Sequence, residues 1–421
     1  MDAIVVQGGR RLDGEVTVSG AKNSVLKLMA ASLLAPGTFT LRNVPAITDV
    51  ATMSDLLAAM GVVATSPEPE VLVLASPDAI VPEAPYELVE RIRASILVLG
   101  PLLAVCGEAR VSLPGGDDFG ARPIDLHLKG LEAMGARFEL SHGYLEGRTD
   151  GLHAADITLE FPSVGATENI LMAAVLAKGT TVLDNAAREP EIGDLCTMLN
   201  AMGADIEGVG SPTLTIHGVE RTALRPVSHR VVPDRVEAAT YVAAACVAGG
   251  EVHVREAQAG HMDNFLRKVR EIGATVTATA SGLLVASSGR LRAVDVQTMP
   301  YPGVATDYKP LIATMLSVSD GVGIITENLF AGRFRYVEEL VRMGADIRTD
   351  GHHMVVRGVG HLSGAQVRAH DIRAGAALVV AGLVAEGTTV VSDAHHLDRG
   401  YARMVDKLRG LGAAIERSVD A

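Results

Sequence analysis

The sequence predicts an α/β fold built from six copies of one βαβαββ unit. A triplet of a hydrophobic residue, glycine and a small residue recurs six times, and a second glycine precedes each triplet by 23 to 28 residues. Apolar helix-like segments and β-branched strand-like segments alternate between these glycines. The triplet glycines are Gly61, Gly135, Gly203, Gly273, Gly344 and Gly412, and the preceding ones are Gly37, Gly107, Gly179, Gly250, Gly321 and Gly387. Two glycine series that stay in step indicate a tandem structural repeat.

The third repeat illustrates the order of elements within a unit. Residues 169–177 (NILMAAVLA) predict an apolar helix that ends with Gly179 as its C-cap, and residues 179–183 predict a strand. Residues 194–202 predict an amphipathic second helix, and residues 204–207 and 213–217 predict two closing strands. Because one such unit buries little apolar surface alone, we expect several units to pack around shared helices.

The composition narrows the class of protein. The 421 residues are 48% hydrophobic but only 3% aromatic, without tryptophan, and the net charge is −13. These values disfavour base stacking and binding to nucleic acid or an anionic membrane. No apolar run approaches 18 residues, and the N-terminus lacks the layout of a signal peptide. Cys106, Cys196 and Cys246 lie beside apolar residues, which predicts buried thiols, no disulfide and no zinc site. We therefore expect a cytoplasmic globular protein.

Residues 113–127 (LPGGDDFGARPIDLH) predict a glycine-rich loop that leads into a helix. Glycines at 115, 116 and 120 permit backbone angles closed to other residues, and Pro123 is suited to a first helical turn. The loop also carries the carboxylates of Asp117 and Asp118 and the guanidinium of Arg122. Catalytic loops and ordinary surface turns both have this composition.

Cationic residues recur where the repeats predict helix starts: Lys22, Arg93, Arg122, Arg333, Arg373 and Arg399. A cation opposes the positive end of the helix dipole, so such residues are unusual there unless an anion binds. Arginine forks suit carboxylate and phosphate groups. The pattern favours a polyanionic ligand, and the alternative is a set of solvated or ion-paired side chains.

A series of motifs extends this pattern along the whole chain. They are GEVTVSGAKN (14–23), RASILVLGPL (93–102), PGGDDFGARPIDLH (114–127), PSVGATEN (162–169), NAAREPEI (185–192), PDR (233–235), TD (306–307), GRF (332–334), DIRA (371–374) and LDRGY (397–401). In these motifs and their order the chain resembles the UDP-N-acetylglucosamine 1-carboxyvinyltransferases, the enolpyruvyl transferases of peptidoglycan synthesis.

The resemblance implies an inside-out α/β barrel of two similar domains, each of three βαβαββ repeats, with the active site in the cleft between them. Residues 21–229 would form the domain with the catalytic loop and the uridine site, and residues 1–20 plus 230–421 the second domain. The implied reaction transfers the enolpyruvyl group of phosphoenolpyruvate to the 3-hydroxyl of UDP-N-acetylglucosamine by addition and elimination through a tetrahedral phospho-ketal, releasing phosphate. The resemblance implies no cofactor and no metal.

The resemblance also assigns roles to residues at matching positions. The implied catalytic residues are Lys22, Asn23, Asp117 and Asp307, with Asp307 as the base for the attacking hydroxyl. The implied phosphoenolpyruvate site consists of Lys22, Arg93, Arg122, Arg333, Arg373 and Arg399. The implied uridine-nucleotide site consists of Arg122, Pro123, Ile124, Asp125, Leu126, His127, Ser163, Val164, Gly165, Thr306, Asp307 and Leu329.

Asp117 stands where many relatives carry cysteine and some carry aspartate. To protonate C3 of the substrate at pH 7, its carboxyl needs a pKa raised toward neutrality. Desolvation raises that pKa, whereas nearby cations lower it, so two roles stay open: proton donor, or residue that helps the loop close. Epoxide inhibitors such as fosfomycin, which alkylate the thiol of cysteine-bearing relatives, should form no stable adduct with this loop.

Three other functions compete with the main one. Ala305 and Ala331 depart from the family pattern in the acceptor half of the site, which leaves open transfer to another uridine nucleotide, such as UMP in nucleoside-antibiotic synthesis. A non-catalytic sugar-nucleotide sensor is disfavoured because Lys22, Asp307 and Arg399 are all present. RNA-phosphate cyclases have related repeats, but the acidic charge disfavours RNA. His127, His395 and His396 are interpreted as site-wall or packing residues.

Overall fold

Short strands and helices alternate along the chain in the computed structural model, which describes residues 2–113, 123–330 and 332–419. The strands are β1 (Asp2–Gln7), β2 (Leu12–Thr17), β3 (Gly37–Arg42), β4 (Val63–Thr65), β5 (Val71–Ser76), β6 (Glu83–Ala84), β7 (Glu108–Ser112), β8 (Arg137–Ser141), β9 (Tyr144–Arg148), β10 (Asp156–Thr158), β11 (Thr180–Asp184), β12 (Asp205–Glu207), β13 (Thr213–His217), β14 (Ser228–Arg230), β15 (Gly250–Arg255), β16 (Thr275–Thr279), β17 (Gly282–Ser287), β18 (Val296–Gln297), β19 (Val322–Thr326), β20 (Asp346–Asp350), β21 (His353–Arg357), β22 (Gln366–Arg368), β23 (Thr388–Ser392) and β24 (Ala414–Val419).

The α-helices are α1 (Lys22–Ala31), α2 (Thr48–Ala59), α3 (Tyr86–Val89), α4 (Leu99–Cys106), α5 (Asp125–Ala133), α6 (Val164–Ala174), α7 (Pro190–Met202), α8 (Arg235–Ala248), α9 (Asp263–Ile272), α10 (Lys309–Ser317), α11 (Tyr336–Arg342), α12 (Ile372–Val384), α13 (His395–Asp398) and α14 (Met404–Gly410). Short 3₁₀ turns span Ser32–Leu34, Arg93–Val98, Arg221–Ala223, Ala259–His261 and Thr306–Tyr308. Among the described residues, no helix is both long and apolar enough to cross a membrane.

The described strands form six four-stranded sheets with one common pattern. In each, two neighbouring strands are parallel and the remaining two pairings are antiparallel. The strand orders are β14-β3-β5-β4, β6-β7-β9-β8, β10-β11-β13-β12, β16-β17-β15-β2, β18-β19-β21-β20 and β22-β23-β1-β24. The βαβαββ repeat predicted from the two glycine series is therefore confirmed.

Contacts divide the chain into two compact units. A continuous unit contains residues 20–113 and 123–232, and a discontinuous unit contains residues 2–19 and 233–419. The divisions fall at 19/20 and 232/233, beside the expected 20/21 and 229/230. In the continuous unit β14 completes the sheet of β3, whereas in the discontinuous unit β2 pairs with β15 and β1 lies between β23 and β24. Each unit thus has three complete sheets.

The helix that begins each repeat lies inside its unit. In the discontinuous unit α8, α10 and α12 contact one another, and nearly every residue of α8 and α12 is buried. In the continuous unit α4 contacts α6, and α1 contacts the 3₁₀ turn Arg93–Val98 that leads into α4. Runs of alanine in α8 and α12 let helix backbones approach closely, which explains why so few aromatic side chains suffice for the core.

The twelve repeat glycines have positive φ, from +73° at Gly107 to +117° at Gly37, a region that favours glycine. The triplets end the second helices as predicted, for example at Gly203, the left-handed C-cap of α7. The predicted C-cap role of the preceding glycines is wrong except at Gly107, which caps α4. The others lie beyond the C-cap of their helix and begin or precede a strand, for example Gly250, which directly follows the cap of α8, and Gly179, which follows α6 by five residues.

Several predicted boundaries in the third repeat need correction. The first helix, α6, covers residues 164–174 instead of 169–177, because Ser163 caps it, and α7 begins at Pro190 instead of residue 194. The strands begin one residue later than expected at 180 and 205, and that at 213–217 is as predicted. Cys196 and Cys246 are buried, but the prediction is wrong for Cys106, which is partly exposed at the end of α4.

Candidate active site

A cluster of opposite charges surrounds Asp307 at the start of α10. Asp307 lies in the 3₁₀ turn Thr306–Tyr308, and its Oδ1 accepts a hydrogen bond from Arg333 Nη1 at 2.7 Å. Nε of Arg373 lies 3.7 Å from the other carboxylate oxygen, Oδ2. Both arginines are buried, at 4% exposed, whereas the Asp307 side chain is 24% exposed. The structure thus groups three of the predicted site residues around one accessible carboxylate.

The two arginines determine the charge state of Asp307. Burial alone raises the pKa of this carboxyl, but the charges of Arg333 and Arg373 outweigh burial and hold the pKa well below its usual range. Asp307 is therefore ionised at neutral pH. As a hydrogen-bond acceptor it is always available, but in this arrangement it is a weak base.

Arg373 is fixed from two sides. Asp371 caps α12 by accepting the backbone N–H groups of Arg373 and Ala374, at 2.8 and 2.9 Å. The side chain hydrogen-bonds Tyr401, whose hydroxyl lies 2.8 Å from Oγ1 of Thr240. Nη1 of Arg373 is buried and has no hydrogen-bond partner among the residues that the structure describes. A buried, unpaired guanidinium N–H is suited to an anionic ligand.

A fully buried ion pair, Lys309 with Glu327, lies beside the Asp307 cluster. Nζ of Lys309 is 2.7 Å from Oε2 of Glu327, and both side chains are 0% exposed. Burial lowers the pKa of Lys309 to about 8, although Glu327 opposes that shift. Burial raises the pKa of Glu327, but Lys309 and its hydrogen-bond donors reverse that effect and lower it. The Glu327 carboxylate also accepts Oγ1 of Thr306 at 2.7 Å, next to Asp307.

In the continuous unit, Lys22 is the first residue of α1. Its Nζ lies 2.9 Å from Oδ2 of Asp49 in the first turn of α2, and the side chains are 12% and 3% exposed. Asn23, the next residue of α1, is exposed. Lys22 is thus a cation at a helix start as predicted, and Asp49 is a counterion that the sequence did not reveal.

His127 is buried in the first turn of α5 and takes a defined tautomer. The Asn169 amide donates to the Ile96 carbonyl at 3.0 Å and accepts the Gly100 N–H at 2.7 Å, which fixes its orientation. Its Nδ2 therefore donates to Nδ1 of His127 at 2.9 Å, so the proton of a neutral imidazole is on Nε2. Burial, assisted by the charge of Arg93, lowers the pKa of His127 to about 4.

The imidazole of His127 meets the start of α6. A Cβ atom added at Gly165 would lie 2.9 Å from Cε1 and 3.1 Å from Nε2 of His127, so only glycine permits this approach. Ser163 caps α6, with its Oγ accepting the Ala166 N–H at 3.3 Å, and Val164 is the first helical residue. The first turn of α6 and the His127 imidazole therefore lie close together, and the N–H groups of a helix start suit an anion.

Four of the other predicted nucleotide residues adjoin His127 in the sequence, and Leu329 lies in a different segment. Pro123 and Ile124 precede α5, and Asp125 and Leu126 are its first two residues. Leu329 follows β19, and its backbone N–H donates to Oε1 of Glu327 at 2.8 Å. Leu329 and Thr306 are therefore joined through one carboxylate.

The helix-start interpretation needs correction at two of the cations. Arg333 precedes α11 by three residues and pairs with Asp307. Arg399 follows the four-residue helix α13 as its C-cap. At that end a cation agrees with the helix dipole, so its position alone does not indicate an anion. Asp398 pairs with Arg417 at 2.6 Å, which joins α13 to β24.

Asp117 and Arg122 lie outside the described residues, as do Asp118 and Ala331. We therefore know three residues only from the sequence: Asp117 as the predicted acid, Arg122 as a predicted phosphoenolpyruvate ligand, and Ala331 as a departure from the family pattern. Within the described ranges there is no group of three or more histidine, cysteine, aspartate or glutamate side chains that could hold a metal ion.

Sequence reasoning missed Asp49, Asn169, Lys309 and Glu327. Glu327 had a usable signal, since a half-buried strand rich in β-branched residues (VGIIT) ends directly before it, and carboxylates at strand ends often serve a site. Asn169 and Asp49 offered none, because their partners are 42 and 27 residues away in the sequence.

A family model places the chain in a class of enzyme. The model for EPSP synthase (3-phosphoshikimate 1-carboxyvinyltransferase) matches residues 6–408, and the chain belongs to this family of carboxyvinyl, or enolpyruvyl, transferases. The predicted class of enzyme is confirmed.

The relatives are more specific. A UDP-N-acetylglucosamine 1-carboxyvinyltransferase from Mycobacterium leprae is 53% identical over 416 residues, which cover 99% of both chains. Its counterpart from Nocardia farcinica is 51% identical over 99% of this chain and 98% of its own. The crystal structure of the enolpyruvyl transferase NikO from Streptomyces tendae matches with a TM-score of 0.90 and 27% identity, covering 100% and 99% of the two chains. EPSP synthase from Acinetobacter baumannii, with a TM-score of 0.78 and 18% identity over 100% of both chains, has the same fold.

Proposed function

We propose that this protein transfers the enolpyruvyl group of phosphoenolpyruvate to the 3-hydroxyl of UDP-N-acetylglucosamine and releases phosphate. The observation that carries the proposal is the 53% identity, over nearly the whole of both chains, to a UDP-N-acetylglucosamine 1-carboxyvinyltransferase. The product is a 3-O-enolpyruvyl ether, and the reaction is the first committed step of peptidoglycan synthesis.

The reaction requires a cationic site for phosphoenolpyruvate, a base near the sugar hydroxyl and an acid near C3. In this proposal Lys22, Arg93, Arg122, Arg333, Arg373 and Arg399 neutralise the phosphate and carboxylate. Asn23 holds the sugar and the tetrahedral intermediate by neutral hydrogen bonds. Asp117 protonates C3 or helps the loop close.

Asp307 accepts the proton of the attacking hydroxyl, and its base strength depends on the other substrate. In the absence of ligand, Arg333 and Arg373 hold its pKa low. When phosphoenolpyruvate places negative charge beside the same guanidinium groups, their effect on Asp307 weakens, and the pKa of the carboxyl rises. The base therefore becomes stronger in the complex that is about to react.

The uridine nucleotide is held mainly by neutral donors. In this proposal the Ser163 hydroxyl and the backbone N–H groups at Val164 and Gly165, at the start of α6, bind the diphosphate. His127, neutral and protonated on Nε2, donates a hydrogen bond from the same place. Neutral donors bind the diphosphate without adding cations that compete for phosphoenolpyruvate.

Transfer to another uridine nucleotide, such as UMP, is the second candidate. The observation in its favour is the TM-score of 0.90 with the enolpyruvyl transferase NikO. Its lower identity of 27%, against 53% for the Mycobacterium leprae relative, makes it the alternative.

The experiment is an assay of phosphate release from phosphoenolpyruvate with UDP-N-acetylglucosamine or UMP as acceptor, with the product identified by mass spectrometry. We expect turnover and an enolpyruvyl adduct with UDP-N-acetylglucosamine. Turnover with UMP alone would replace the main proposal by the second, and turnover with neither would refute both. Asp346→Asn removes a surface carboxylate paired with Arg357 and is the matched control for Asp307→Asn, whose turnover should fall by about 10²- to 10⁴-fold. Since both substrates are cytoplasmic metabolites, we place the enzyme in the cytoplasm.

A further inference from the structure

We infer that Glu327 is a positioning residue for the acceptor nucleotide: its buried carboxylate joins the turn that carries Thr306 and Asp307 to the turn that carries Leu329. This inference rests on the proposed function, because Thr306, Asp307 and Leu329 are proposed to contact the uridine nucleotide. Glu327 itself is fully buried and acts through these residues.

Among the described residues, the partners of the carboxylate come from three segments. Oε1 accepts Oγ1 of Thr298 at 2.6 Å and the backbone N–H groups of Leu329 and Phe330 at 2.8 and 3.1 Å. Oε2 accepts Oγ1 of Thr306 at 2.7 Å and pairs with Lys309 at 2.7 Å. The Glu327 side chain therefore fixes the relative positions of residues 298, 306–309 and 329–330.

Thr298 strengthens this connection from the other side. Its Oγ1 donates to Glu327 and accepts the Asn328 N–H at 2.9 Å, while the Asn328 amide donates to the Thr298 carbonyl at 3.0 Å. The turn after β19 is thus hydrogen-bonded along residues 328–330. Because these donors face inward, the turn has a fixed conformation before any nucleotide binds.

Lys309 supplies the charge that the carboxylate needs. A carboxylate with four hydrogen-bond donors around it is favourable only if it stays ionised, and a buried charge requires a partner. Nζ of Lys309 approaches Oε2 without hydrogen-bond alignment and lies 4.1 Å from the centre of the Phe334 ring. The contact is mainly electrostatic, so Lys309 neutralises Glu327 while Thr306 and the backbone N–H groups give the geometry.

The geometry separates the effect of Glu327 on the nucleotide from its effect on phosphoenolpyruvate. Glu327 contacts Thr306 and Leu329, whereas the guanidinium of Arg373 is fixed by Tyr401 and Asp307. Arg333, another proposed phosphoenolpyruvate ligand, reaches Oγ1 of Thr306 at 3.5 Å but is bonded more closely to Asp307, at 2.7 Å. Loss of the carboxylate should therefore loosen the nucleotide contacts more than it disturbs the proposed phosphoenolpyruvate ligands.

The test compares Glu327→Gln, Thr298→Val and the control Glu237→Gln with the unaltered enzyme. Glu237 is also a buried carboxylate paired with a lysine, Lys407, and its other hydrogen bonds are with Ser19 and Tyr241. Steady-state kinetics give the KM of each substrate, and calorimetry gives the Kd of UDP-N-acetylglucosamine alone. A melting temperature for each variant reports the loss of stability.

We expect Glu327→Gln to raise the KM and Kd for UDP-N-acetylglucosamine about tenfold, with the KM for phosphoenolpyruvate changed less than about twofold. Thr298→Val, which removes one hydroxyl at nearly constant volume, should raise the nucleotide KM about threefold. Glu237→Gln should lower the melting temperature without separating the two KM values.

Three results would overturn the inference: an unchanged nucleotide Kd in both variants, equal changes in the two KM values, or the same kinetic pattern in Glu237→Gln. If Glu327→Gln does not fold, Thr298→Val decides alone. Failure of the unaltered enzyme to bind or use UDP-N-acetylglucosamine would instead refute the proposed function, so the two failures are distinguishable.

Discussion

Replacing Asp307 by asparagine should damage both turnover and stability, and the two effects have separate causes. The substitution keeps the shape of the side chain but removes the charge that Arg333 and Arg373 face. Turnover should fall by about 10²- to 10⁴-fold, the usual contribution of a positioned general base.

The effect on stability follows from burial. Removing one partner of a buried ion pair costs about 3–5 kcal/mol, and because Asp307 is 24% exposed, we take the lower end, about 3 kcal/mol. A folding unit of the size of the discontinuous unit loses about 2–4 °C in melting temperature per kcal/mol. The expected decrease is therefore about 6–12 °C near pH 7, measured by calorimetry on both proteins.

The pH dependence provides a second check. Because the folded-state pKa of Asp307 is depressed, its contribution to stability is present above the unfolded-state pKa, about 4, and is lost as the pH falls through the folded-state value. The difference between the two proteins should thus be constant from pH 6 to 8 and shrink only in acid. Equal melting temperatures near pH 7, or a difference that grows in acid, would refute this account of the cluster.

Three further predictions concern other residues of the site. Arg373→Lys should raise the KM for phosphoenolpyruvate about tenfold or more in steady-state kinetics, since a lysine cannot reproduce the fork; an unchanged KM would contradict its role. His127, whose pKa is lowered to about 4, should remain neutral at pH 6 in an NMR titration, and an imidazolium signal at that pH would refute this. Between pH 4 and 6.5 the unfolded chain binds a proton at this histidine that the folded chain does not. Up to about 3 kcal/mol of stability should therefore be lost as the pH falls through that range. Asp117→Asn should reduce turnover if that carboxyl donates the C3 proton, and mass spectrometry should find no epoxide adduct on the loop of the unaltered enzyme; unchanged turnover, or an adduct, would contradict these two expectations.

The repeat was predictable because glycine marks it. Glycine is favoured at positions with positive φ, so the regular spacing of these glycines can be recognised in the sequence without knowledge of any contact. The number of repeats that the spacing predicts equals the number of sheets observed. Helix ends were less predictable, because α6 begins where Ser163 caps it and stops before its apolar sequence does. Apolar periodicity indicates which face is buried but not where the last hydrogen bond forms.

The site was predictable as a set of charged residues and not as a set of pairs. Lys22 and Arg373 were found because cations oppose a helix start, and the same reasoning failed for Arg333, which precedes its helix by three residues, and for Arg399, which ends a short helix. The partners of these cations come from other elements. Lys309 begins α10 and Glu327 follows β19, and only the fold shows that the two side chains meet away from water.

During synthesis the discontinuous unit cannot complete its sheets until the C-terminal strands have been made, because its N-terminal strand β1 pairs with them. Strand β1 lies between β23 and β24, so it waits for partners that are made near residue 400, and β2 waits for β15, which is made before residue 260. At about 5–20 residues per second, β1 remains unpaired for about 20–80 s, with Ile4 and Val6 accessible to other chains. The continuous unit lacks this delay, since all of its residues precede Pro233. Nascent chains are therefore most exposed to aggregation through their first two strands.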